Sequence, residues 1–336
     1  MNDRAWALYW AATGFIRPWT TVSFLRQRRR AEREWVETQV EPLQDLGNVS
    51  RLSILPLVEY YASREDLATE PGVSYLIRAD DLTVLFDVGR NVRGEHPSPL
   101  LRNMEALGIS PSALDAVFIS HLHLDHVGGV KEMQEGTFSL SSGLVDLPAI
   151  PAYVPTRMTH PQARVEIVHA PRKLGQGLAS TGPITRALWL MGPIAEHALL
   201  VNVKGKGVVM IVGCGHPTIG RLVARARAVT GLPLYGVVGG LHFPVTGSRV
   251  GKGGQNIIGN GKLPWQRITR QEAREAAAFL AGLEVGLAAI SAHDACDWSL
   301  EAFHAALPAR CRTLRVGEEI VVEADESAIA GGVMAP

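Results

Sequence analysis

A short run of the chain carries three imidazoles and one carboxylate, which are His121, His123, Asp125 and His126. Zn²⁺ and related divalent metals bind imidazole nitrogens and carboxylate oxygens. We expect an extended backbone here, because alternate residues would then point the ligands to one side and the intervening leucines into the core. Two glycines, Gly128 and Gly129, follow the run and allow a tight turn beside the ligands. The run therefore predicts a metal site.

Other residues of the same chemical types follow short apolar runs that predict β-strands. These runs, at residues 82–86, 116–120, 208–212, 235–238 and 287–291, alternate with helical patterns, which is typical of an α/β protein. They are followed by Asp87, by the His121 run, by Cys214 and His216, by His242, and by His293 and Asp294. Ligands of α/β sheets bind at the carboxyl ends of the strands. We therefore expect these side chains to share one site.

The composition of the whole chain restricts the class of function. Its 336 residues include 33 Lys plus Arg and 33 Asp plus Glu, so there is no overall charge that would attract nucleic acid. The three cysteines, Cys214, Cys296 and Cys311, form no Cys-x-x-Cys pair and leave one thiol over, which suits a reducing compartment. We expect a cytoplasmic protein that acts on a small molecule.

The first fifty residues differ in composition from the rest and predict a helical extension, residues 1–50, in front of a domain at 51–325. Residues 5–16 are apolar and aromatic, but a membrane-spanning helix needs about twenty such residues. An arginine-rich stretch follows. Residues 5–33 therefore indicate either a helix that packs on the domain or on a second subunit, or peripheral contact with a membrane. Residues 326–336 are expected to form a flexible tail.

The combination of motifs resembles the metallo-β-lactamase fold superfamily. The matching residues are His121-x-His123-x-Asp125-His126, the following Gly128-Gly129, and the preceding Leu85-Phe86-Asp87-x-Gly89. Residues 196–199, 213–217 and 239–242 are similar to a branch of metal-dependent hydrolases, β-lactamase superfamily II, which includes dihydropterin-aminobenzene ribofuranosyl phosphate synthase-like proteins. The resemblance covers roughly residues 52–322. It implies a four-layer αβ/βα sandwich with the metals at one edge.

The resemblance also implies how two metal ions would be held. The first would be bound by His121, His123 and His216, and the second by Asp125, His126 and His293. Most members of the superfamily have a bridging Asp where this chain has Cys214, whose sulfur is either a ligand or part of a small buried side chain. The branch commonly has His-Cys-Thr-Gly where this chain has His293-Asp294-Ala295-Cys296, so Asp294 either supplies a carboxylate or binds substrate. The metal would be Zn²⁺, Mn²⁺ or Fe²⁺, with one or two ions per chain.

Metal-assisted hydrolysis gives the remaining residues their expected roles. A metal lowers the pKa of a bound water, which then attacks a carbonyl or phosphoryl group without a protein nucleophile. Asp125 would orient that water, His242 or Asp294 would protonate the leaving group, and Asp87 would hold a ligand imidazole by a hydrogen bond. We therefore hypothesise a metal-dependent hydrolase of an ester, lactone or phosphoester. The alternatives are a transferase for a pterin-like or phosphoribosyl substrate, a metal-binding protein without activity, and redox chemistry at iron.

An insertion at residues 246–262 follows His242 closely and contains six glycines. It also carries Arg249, Lys252 and Lys262, so a flexible basic loop beside the metals would close over an anionic substrate. The alternative is a disordered surface loop without a function.

Overall fold

The chain folds into two large β-sheets that pack face to face, with helices on both outer sides. The computed structural model describes residues 18–247, 249 and 255–325. Within these residues each large sheet has seven strands, and a third sheet has two.

The first sheet positions the His121 run. Its strands are β1 Arg51–Val58, β2 Ser74–Ala79, β3 Leu82–Phe86, β4 Ala116–Phe118, β5 Pro151–Val154, β6 Arg164–Ile167 and β16 Ile320–Glu323. They lie in the order β16-β1-β2-β3-β4-β5-β6. Because β3 and β4 pair in parallel, with Phe86 opposite Phe118, their carboxyl ends lie side by side at one edge.

The second sheet positions the remaining site residues. Its strands are β7 Arg172–Gly175, β8 Leu178–Ser180, β11 Leu199–Val203, β12 Gly207–Val212, β13 Leu234–Gly239, β14 Leu287–Ile290 and β15 Cys311–Thr313. They lie in the order β15-β14-β13-β12-β11-β8-β7, and β12 to β15 are parallel to one another. The third sheet is an antiparallel hairpin of β9 Ile184–Leu188 and β10 Gly192–Glu196.

Seven α-helices belong to the described part of the chain. They are α1 Pro18–Glu37, α2 Pro99–Ala106, α3 Val130–Glu135, α4 Ile219–Thr230, α5 Gln255–Ile258, α6 Arg270–Gly282 and α7 Asp297–Ala306, and a 3₁₀ turn spans Pro111–Ala113. Helix α6 begins at a capping box, in which Thr269 and Glu272 each accept a backbone N–H from the other. None of the described helices is long and apolar enough to cross a lipid bilayer.

Three apolar layers hold the sheets and helices together. The layer between the two sheets includes the stacked rings of Tyr75, Phe86 and Phe118, whose centroids are 5.9 and 5.4 Å apart. Leu222 of α4 and Leu280 of α6 pack on the outer face of the second sheet. A third cluster covers the outer face of the first sheet and includes residues of α2. This arrangement confirms the four-layer α/β sandwich that was expected from the sequence.

Candidate metal centre

Loops at the carboxyl ends of strands from both sheets bring the predicted metal ligands together. The ligand atoms fall into two groups, Asp125–His126–Cys214–His293 and His121–Cys214–His216, and within each group all atoms lie within 4.8 Å of one another. A third group contains Cys214, His242 and Asp294. Every residue of these groups is buried, and Cys214 belongs to all three.

One set of imidazoles, those of His121, His123 and His216, converges on His123 Nδ1. This nitrogen lies 3.0 Å from His121 Nε2 and 3.2 Å from His216 Nε2. Ligands of a tetrahedral Zn²⁺ at about 2.0–2.1 Å would be separated by about 3.3 Å. The spacing of these three nitrogens is therefore close to that of ligands to one metal ion.

A second set of side chains, those of Asp125, His126 and His293, surrounds the sulfur of Cys214. Its Sγ lies 3.1 Å from His126 Nε2 and 3.3 Å from His293 Nε2. Asp125 Oδ1 is 3.8 Å from His126 Nε2. The sulfur therefore lies between the two groups of imidazoles, where a bridging ligand would be placed.

The backbone of the His121 run differs from the extended conformation that we expected. His126 N and Val127 N both donate to His123 O, so the segment forms successive turns rather than a strand. Leu122 is half-buried, and Leu124 lines the cavity above the site instead of pointing into the core. Turns place His123 and His126 on the same metal centre although they are three residues apart.

A serine and a carboxylate orient two imidazoles of the first sheet. Ser120 Oγ donates to Asp87 Oδ2 at 2.7 Å, so it can accept from His121 Nδ1 at 2.9 Å. Asp87 Oδ2 also accepts from His126 Nδ1 at 2.7 Å. Both imidazoles therefore carry a proton on Nδ1 and direct Nε2 to the centre. Asp87 thus contacts His126 rather than the ligand atoms of the centre, which is the arrangement expected for an orienting residue.

A second chain of hydrogen bonds, a relay from a carboxyl group through a serine to an imidazole, orients His293 at the second sheet. His293 Nδ1 lies 2.6 Å from Ser291 Oγ, which donates to Glu59 Oε1. Tyr75 Oη also donates to Glu59, at 2.8 Å. The sequence analysis did not identify Glu59. The signal was present, because Glu59 directly follows the apolar strand β1 just as Asp87 follows β3.

Glu196 is a second residue that the sequence analysis did not assign to the site. Its carboxylate accepts the backbone N–H groups of Cys214, Gly215 and His216, at 3.1, 2.8 and 2.8 Å. It therefore holds the turn that delivers a sulfur and an imidazole to the centre. Its partners are backbone groups, so no side-chain motif in the sequence indicates this role.

The insertion at residues 246–262 contributes backbone carbonyls to the site. Gly259 O accepts from His216 Nδ1 at 2.9 Å, and Gln255 O accepts from His242 Nε2 at 3.2 Å. The side chain of Gln255 also donates to His293 O at 3.1 Å. This segment therefore fixes three of the site's histidines.

Two basic residues of the insertion, Arg249 and Lys262, are paired within the protein. The guanidinium of Arg249 donates to Asp297 at 2.5 Å and to the carbonyls of Ala292 and Ala295 at 3.2 and 3.0 Å. Arg249 therefore holds the turn around His293, because its hydrogen-bonding groups are used within the protein. Lys262 pairs with Glu272, and Lys252 lies outside the described residues.

Burial sets the protonation of most of these imidazoles. It lowers the pKa of His123 to about 4, that of His242 to about 4 and that of His293 to about 3. Burial and neighbouring imidazoles also lower the pKa values of His121 and His216 well below the usual range. These rings are therefore neutral at pH 7, with lone pairs available to a cation.

His126 and Cys214 differ from the neutral imidazoles. Burial opposes the charge on His126, but Asp87 and Asp125 raise its pKa to about 9. Burial, together with Asp125 and Asp294, raises the pKa of the Cys214 thiol well above its ordinary value. The thiolate would therefore form only beside a cation, as it does when it ligates a metal.

Two site residues have left-handed backbone conformations, which side chains other than glycine rarely adopt. Asp87 has φ +55° and His242 has φ +55°. Such conformations persist only where the surroundings enforce them, and they are concentrated at functional sites. Gly239 has φ +121°, and a Cβ atom there would lie 1.9 Å from Val212 O, so this position before His242 requires glycine.

The donor set fits a metal ion on two observations. The Nε2 lone pairs of His121 and His216 both face His123 Nδ1, at 3.0 and 3.2 Å, and a single proton on that nitrogen can satisfy only one of the two contacts. His242 Nδ1 and Asp294 Oδ1 are also buried without a hydrogen-bond partner among the described residues. Buried polar atoms are otherwise almost always paired, so these atoms are available to a ligand.

A cavity of about 330 Å³ opens above the centre. Its apolar wall is formed by Leu124, Met191 and Ile258, and His123, Asp125, Cys214, His216 and His242 form its polar side. A small substrate in this cavity would contact the ligand atoms directly.

Comparisons with known proteins agree with the fold and with the predicted resemblance. Residues 67–138, which include the His121 run, match the family model of the metallo-beta-lactamase superfamily. A relative from Methanocaldococcus jannaschii, 7,8-dihydropterin-6-methyl-4-(beta-D-ribofuranosyl)-aminobenzene-5'-phosphate synthase, is 24% identical over 242 residues, covering 60% of this chain and 81% of that protein.

Two solved structures share the fold at low sequence identity. A metal-dependent hydrolase of the beta-lactamase superfamily has a TM-score of 0.57 and 17% identity, covering 81% of this chain and 99% of that one. The metallo-beta-lactamase fold protein YhfI from Bacillus subtilis has a TM-score of 0.50 and 12% identity, covering 81% of this chain and 100% of that one. These likenesses confirm the fold that was expected from the sequence.

Proposed function

We propose, for a chain that has the metallo-β-lactamase fold, that it is a metal-dependent hydrolase of an ester, lactone or phosphoester in a small anionic substrate. One observation carries this proposal. Two groups of buried ligand atoms share the Cys214 sulfur beneath a cavity of about 330 Å³. Such a cavity admits a small molecule to the ligand atoms.

The metal ligands are proposed in two sets. The first set is His121, His123 and His216, and the second is Asp125, His126 and His293, with Cys214 between them. When bound, Zn²⁺, Mn²⁺ or Fe²⁺ at these ligands would supply a nucleophilic water at neutral pH and would polarise the bond under attack. Asp87 and Glu59 support this chemistry by keeping ring protons on Nδ1, away from the centre.

Asp125 is proposed to orient the attacking water. It lines the cavity and is only 8% exposed, and its imidazole neighbours lower its pKa although burial opposes this. An ionised oxygen at this position can accept a proton or a hydrogen bond from water.

His242 and Asp294 are proposed to deliver a proton to the leaving group. His242 lines the cavity, and its Nε2 donates to Gln255 O, so Nδ1 carries a lone pair. Nδ1 lies 3.9 Å from Asp294 Oδ2, and burial raises the pKa of Asp294 well above its usual range. Because the pKa of Asp294 is raised whereas burial lowers that of His242 to about 4, Asp294 is the group that would hold the proton for the leaving group.

Chelation followed by metal addition tests the hydrolase proposal. Metal-free protein should lose turnover of carboxylic esters, lactones and phosphodiesters, and Zn²⁺, Mn²⁺ or Fe²⁺ should restore it for at least one of these classes. The variant Asp125→Asn should turn over substrate slowly and retain less metal than the wild-type protein, because it removes both the water-orienting carboxylate and a proposed ligand. Failure of every metal to restore any activity would refute the proposal.

A transferase is the second candidate function. The relative from Methanocaldococcus jannaschii is named a synthase, and the alignment covers 81% of its length. In a transferase the same donor groups would stabilise a developing negative charge on a pterin-like or phosphoribosyl substrate. Turnover in water enriched in ¹⁸O separates the two candidates, because hydrolysis places the label in a product and condensation does not.

A further inference from the structure

A second and larger depression, of about 870 Å³, adjoins the cavity above the metal centre. We call it the outer groove. Residues that line it include Gln27, Arg30 and Ala31 of α1, and Leu190, Met191 and Ile194 of the β9–β10 hairpin. His123 and Met191 line both the outer groove and the inner cavity, so the two spaces adjoin at these side chains.

Helix α1 forms a fixed wall of the outer groove. Phe24 is 3% exposed and packs edge-on against Trp189 of the hairpin, with ring centroids 5.5 Å apart. On the same helix, Glu32 pairs with Arg186 at 3.6 Å and also with Arg221. The described part of the N-terminal extension is therefore packed against the domain, which positions its groove-lining side chains.

Arg30 places a guanidinium without a described ion-pair partner in the outer groove. Its side chain is exposed and forms no ion pair or hydrogen bond with any described residue. Glu34 is the acidic residue among the described lining residues, and its Oε1 accepts a hydrogen bond from Thr185 Oγ1 at 3.0 Å. A carboxylate or phosphate would therefore find a free guanidinium here.

The tip of the hairpin gives the groove an apolar side. Leu190 is 48% exposed and Met191 is 43% exposed. Leu190 also has φ +63°, a conformation that is unfavourable for a residue with a Cβ atom. An exposed leucine held in this conformation beside the metal cavity suggests a surface for the apolar part of a ligand.

We propose that the outer groove binds the part of the substrate that is remote from the scissile bond. The ligand class is an elongated anion with an apolar body, which lies along Leu190 and Met191 and places a carboxylate or phosphate at Arg30. This proposal rests on the proposed hydrolase, because the reacting end of the same molecule lies in the inner cavity. Arg30 acts as a specificity-determining residue, since it contacts the substrate away from the reacting atoms.

Binding of two fluorescent probes tests the groove without turnover. The anion 8-anilinonaphthalene-1-sulfonate and its uncharged counterpart N-phenyl-1-naphthylamine share the same ring system and differ in the sulfonate. In metal-loaded full-length protein, Arg30→Ala should weaken binding of the anion about fivefold and leave the uncharged probe unchanged. Met191→Ala should weaken both probes. The control is Arg29→Ala, because Arg29 is an exposed arginine of the same helix that does not line the groove.

A pair of esters connects the groove to turnover. The mono-4-nitrophenyl ester of adipic acid carries a carboxylate at the end remote from the ester, and 4-nitrophenyl hexanoate lacks it. Arg30→Ala should lower kcat/KM for the first ester about fivefold, mainly through KM, and should leave the second within twofold. Arg30→Lys should retain most of the preference.

The two assays separate failure of the groove from failure of the hydrolase. Probe binding that depends on Arg30, without hydrolysis of any carboxylic ester, lactone or phosphodiester by metal-loaded protein, would support the groove as an anion site and refute the hydrolase. Hydrolysis together with equal effects of Arg30→Ala and Arg29→Ala on both probes would overturn the groove and leave the hydrolase standing. Absence of binding of either probe to the wild-type protein would also overturn the groove.

Discussion

The two halves of the candidate metal centre use the same kind of support in different surroundings. In the first half, His121 is held by Ser120 and Asp87, which follow neighbouring strands of one sheet. In the second half, His293 is held by Ser291, which follows β14 of the second sheet, and by Glu59, which follows β1 of the first. The first relay therefore depends on one sheet, whereas the second depends on the packing of the two sheets.

The electrostatic surroundings of the Asp87 and Glu59 carboxyl groups also differ. Burial raises the pKa of Asp87, but the His126 imidazole at 2.7 Å opposes this shift. The hydrogen-bond partners of Glu59 are the neutral groups of Ser291, Tyr75 and the Tyr60 backbone, and burial raises its pKa to about 7. The comparison teaches that the same hydrogen-bond geometry occurs with an imidazole that opposes the effect of burial in one half and with neutral partners alone in the other.

Removal of a ligand from either half should have the largest effect. His121→Ala and His293→Ala should each lower kcat/KM roughly a thousandfold, or about 4 kcal/mol of transition-state stabilisation, because each leaves a metal without a ligand. Steady-state kinetics and metal analysis of the same preparations measure the effect. His304→Ala, which removes an exposed imidazole of α7, is the control and should be silent. Full activity of either site variant would remove that half from the centre.

The raised pKa of Glu59 predicts a pH dependence of stability in metal-free protein. Glu59 has an ordinary pKa of 4.5 and a pKa of about 7 in the folded chain, so the folded state retains its proton longer than the unfolded state. The free energy of unfolding should therefore fall as the pH rises from about 4.5 to about 7, by at most about 3 kcal/mol. Urea unfolding of the wild-type protein and Glu59→Gln at several pH values measures this contribution. Parallel curves for the two proteins would contradict it.

Replacing the Asp87 or the Glu59 carboxyl group with an amide should weaken metal binding by an intermediate amount. Asp87→Asn and Glu59→Gln should each lower metal affinity about tenfold to a hundredfold, because outer partners orient the ligand imidazoles. Asp87→Asn should have the larger effect, since Asp87 supports two imidazoles and Glu59 supports one. Competition with a chromogenic chelator measures the affinities, with Asp66→Asn as the exposed control. A larger effect of Glu59→Gln would reverse the comparison.

Removing the bridging hydroxyls should have the smallest effect. Ser120→Ala and Ser291→Ala should each cost about 1 kcal/mol of metal-binding free energy, or roughly fivefold in affinity, because each removes the hydroxyl that joins an imidazole to its carboxyl group. Ser→Thr substitutions retain a hydroxyl and serve as the matched variants. Equal affinities of the alanine and threonine variants would show that the hydroxyls do not transmit the orientation.

The sequence predicted the parts of the site whose signal is local. The ligands His121 to His126 are adjacent in the chain, and the strand ends at Asp87, His216, His242 and His293 follow apolar runs that form strands in the structure. The strands meet at one edge because parallel strands align their carboxyl ends. The turn conformation of the His121 run was missed, since alternating leucines are compatible with an extended segment as well as with turns.

The remaining parts depend on contacts between distant segments. Arg249 and Asp297 are 48 positions apart, and Glu59 and Ser291 are 232 positions apart, so no spacing rule joins them. The packing of α1 on the hairpin likewise unites Phe24 with Trp189, which amphipathic composition alone does not specify. These contacts could not be predicted from the sequence, because they depend on how the two sheets pack in three dimensions.

Metal content per chain tests the central claim most directly. The full-length protein, loaded with Zn²⁺, Mn²⁺ or Fe²⁺ and freed of loosely bound ions, should retain about two ions per chain by mass spectrometry of the metals. Cys214→Ala should retain about one, because the sulfur lies between the two ligand sets. Cobalt-substituted wild-type protein should also show a thiolate charge-transfer band that Cys214→Ala lacks. Retention of no ion by the wild-type protein would contradict the metal centre, and one ion unaffected by Cys214→Ala would contradict the shared two-metal arrangement.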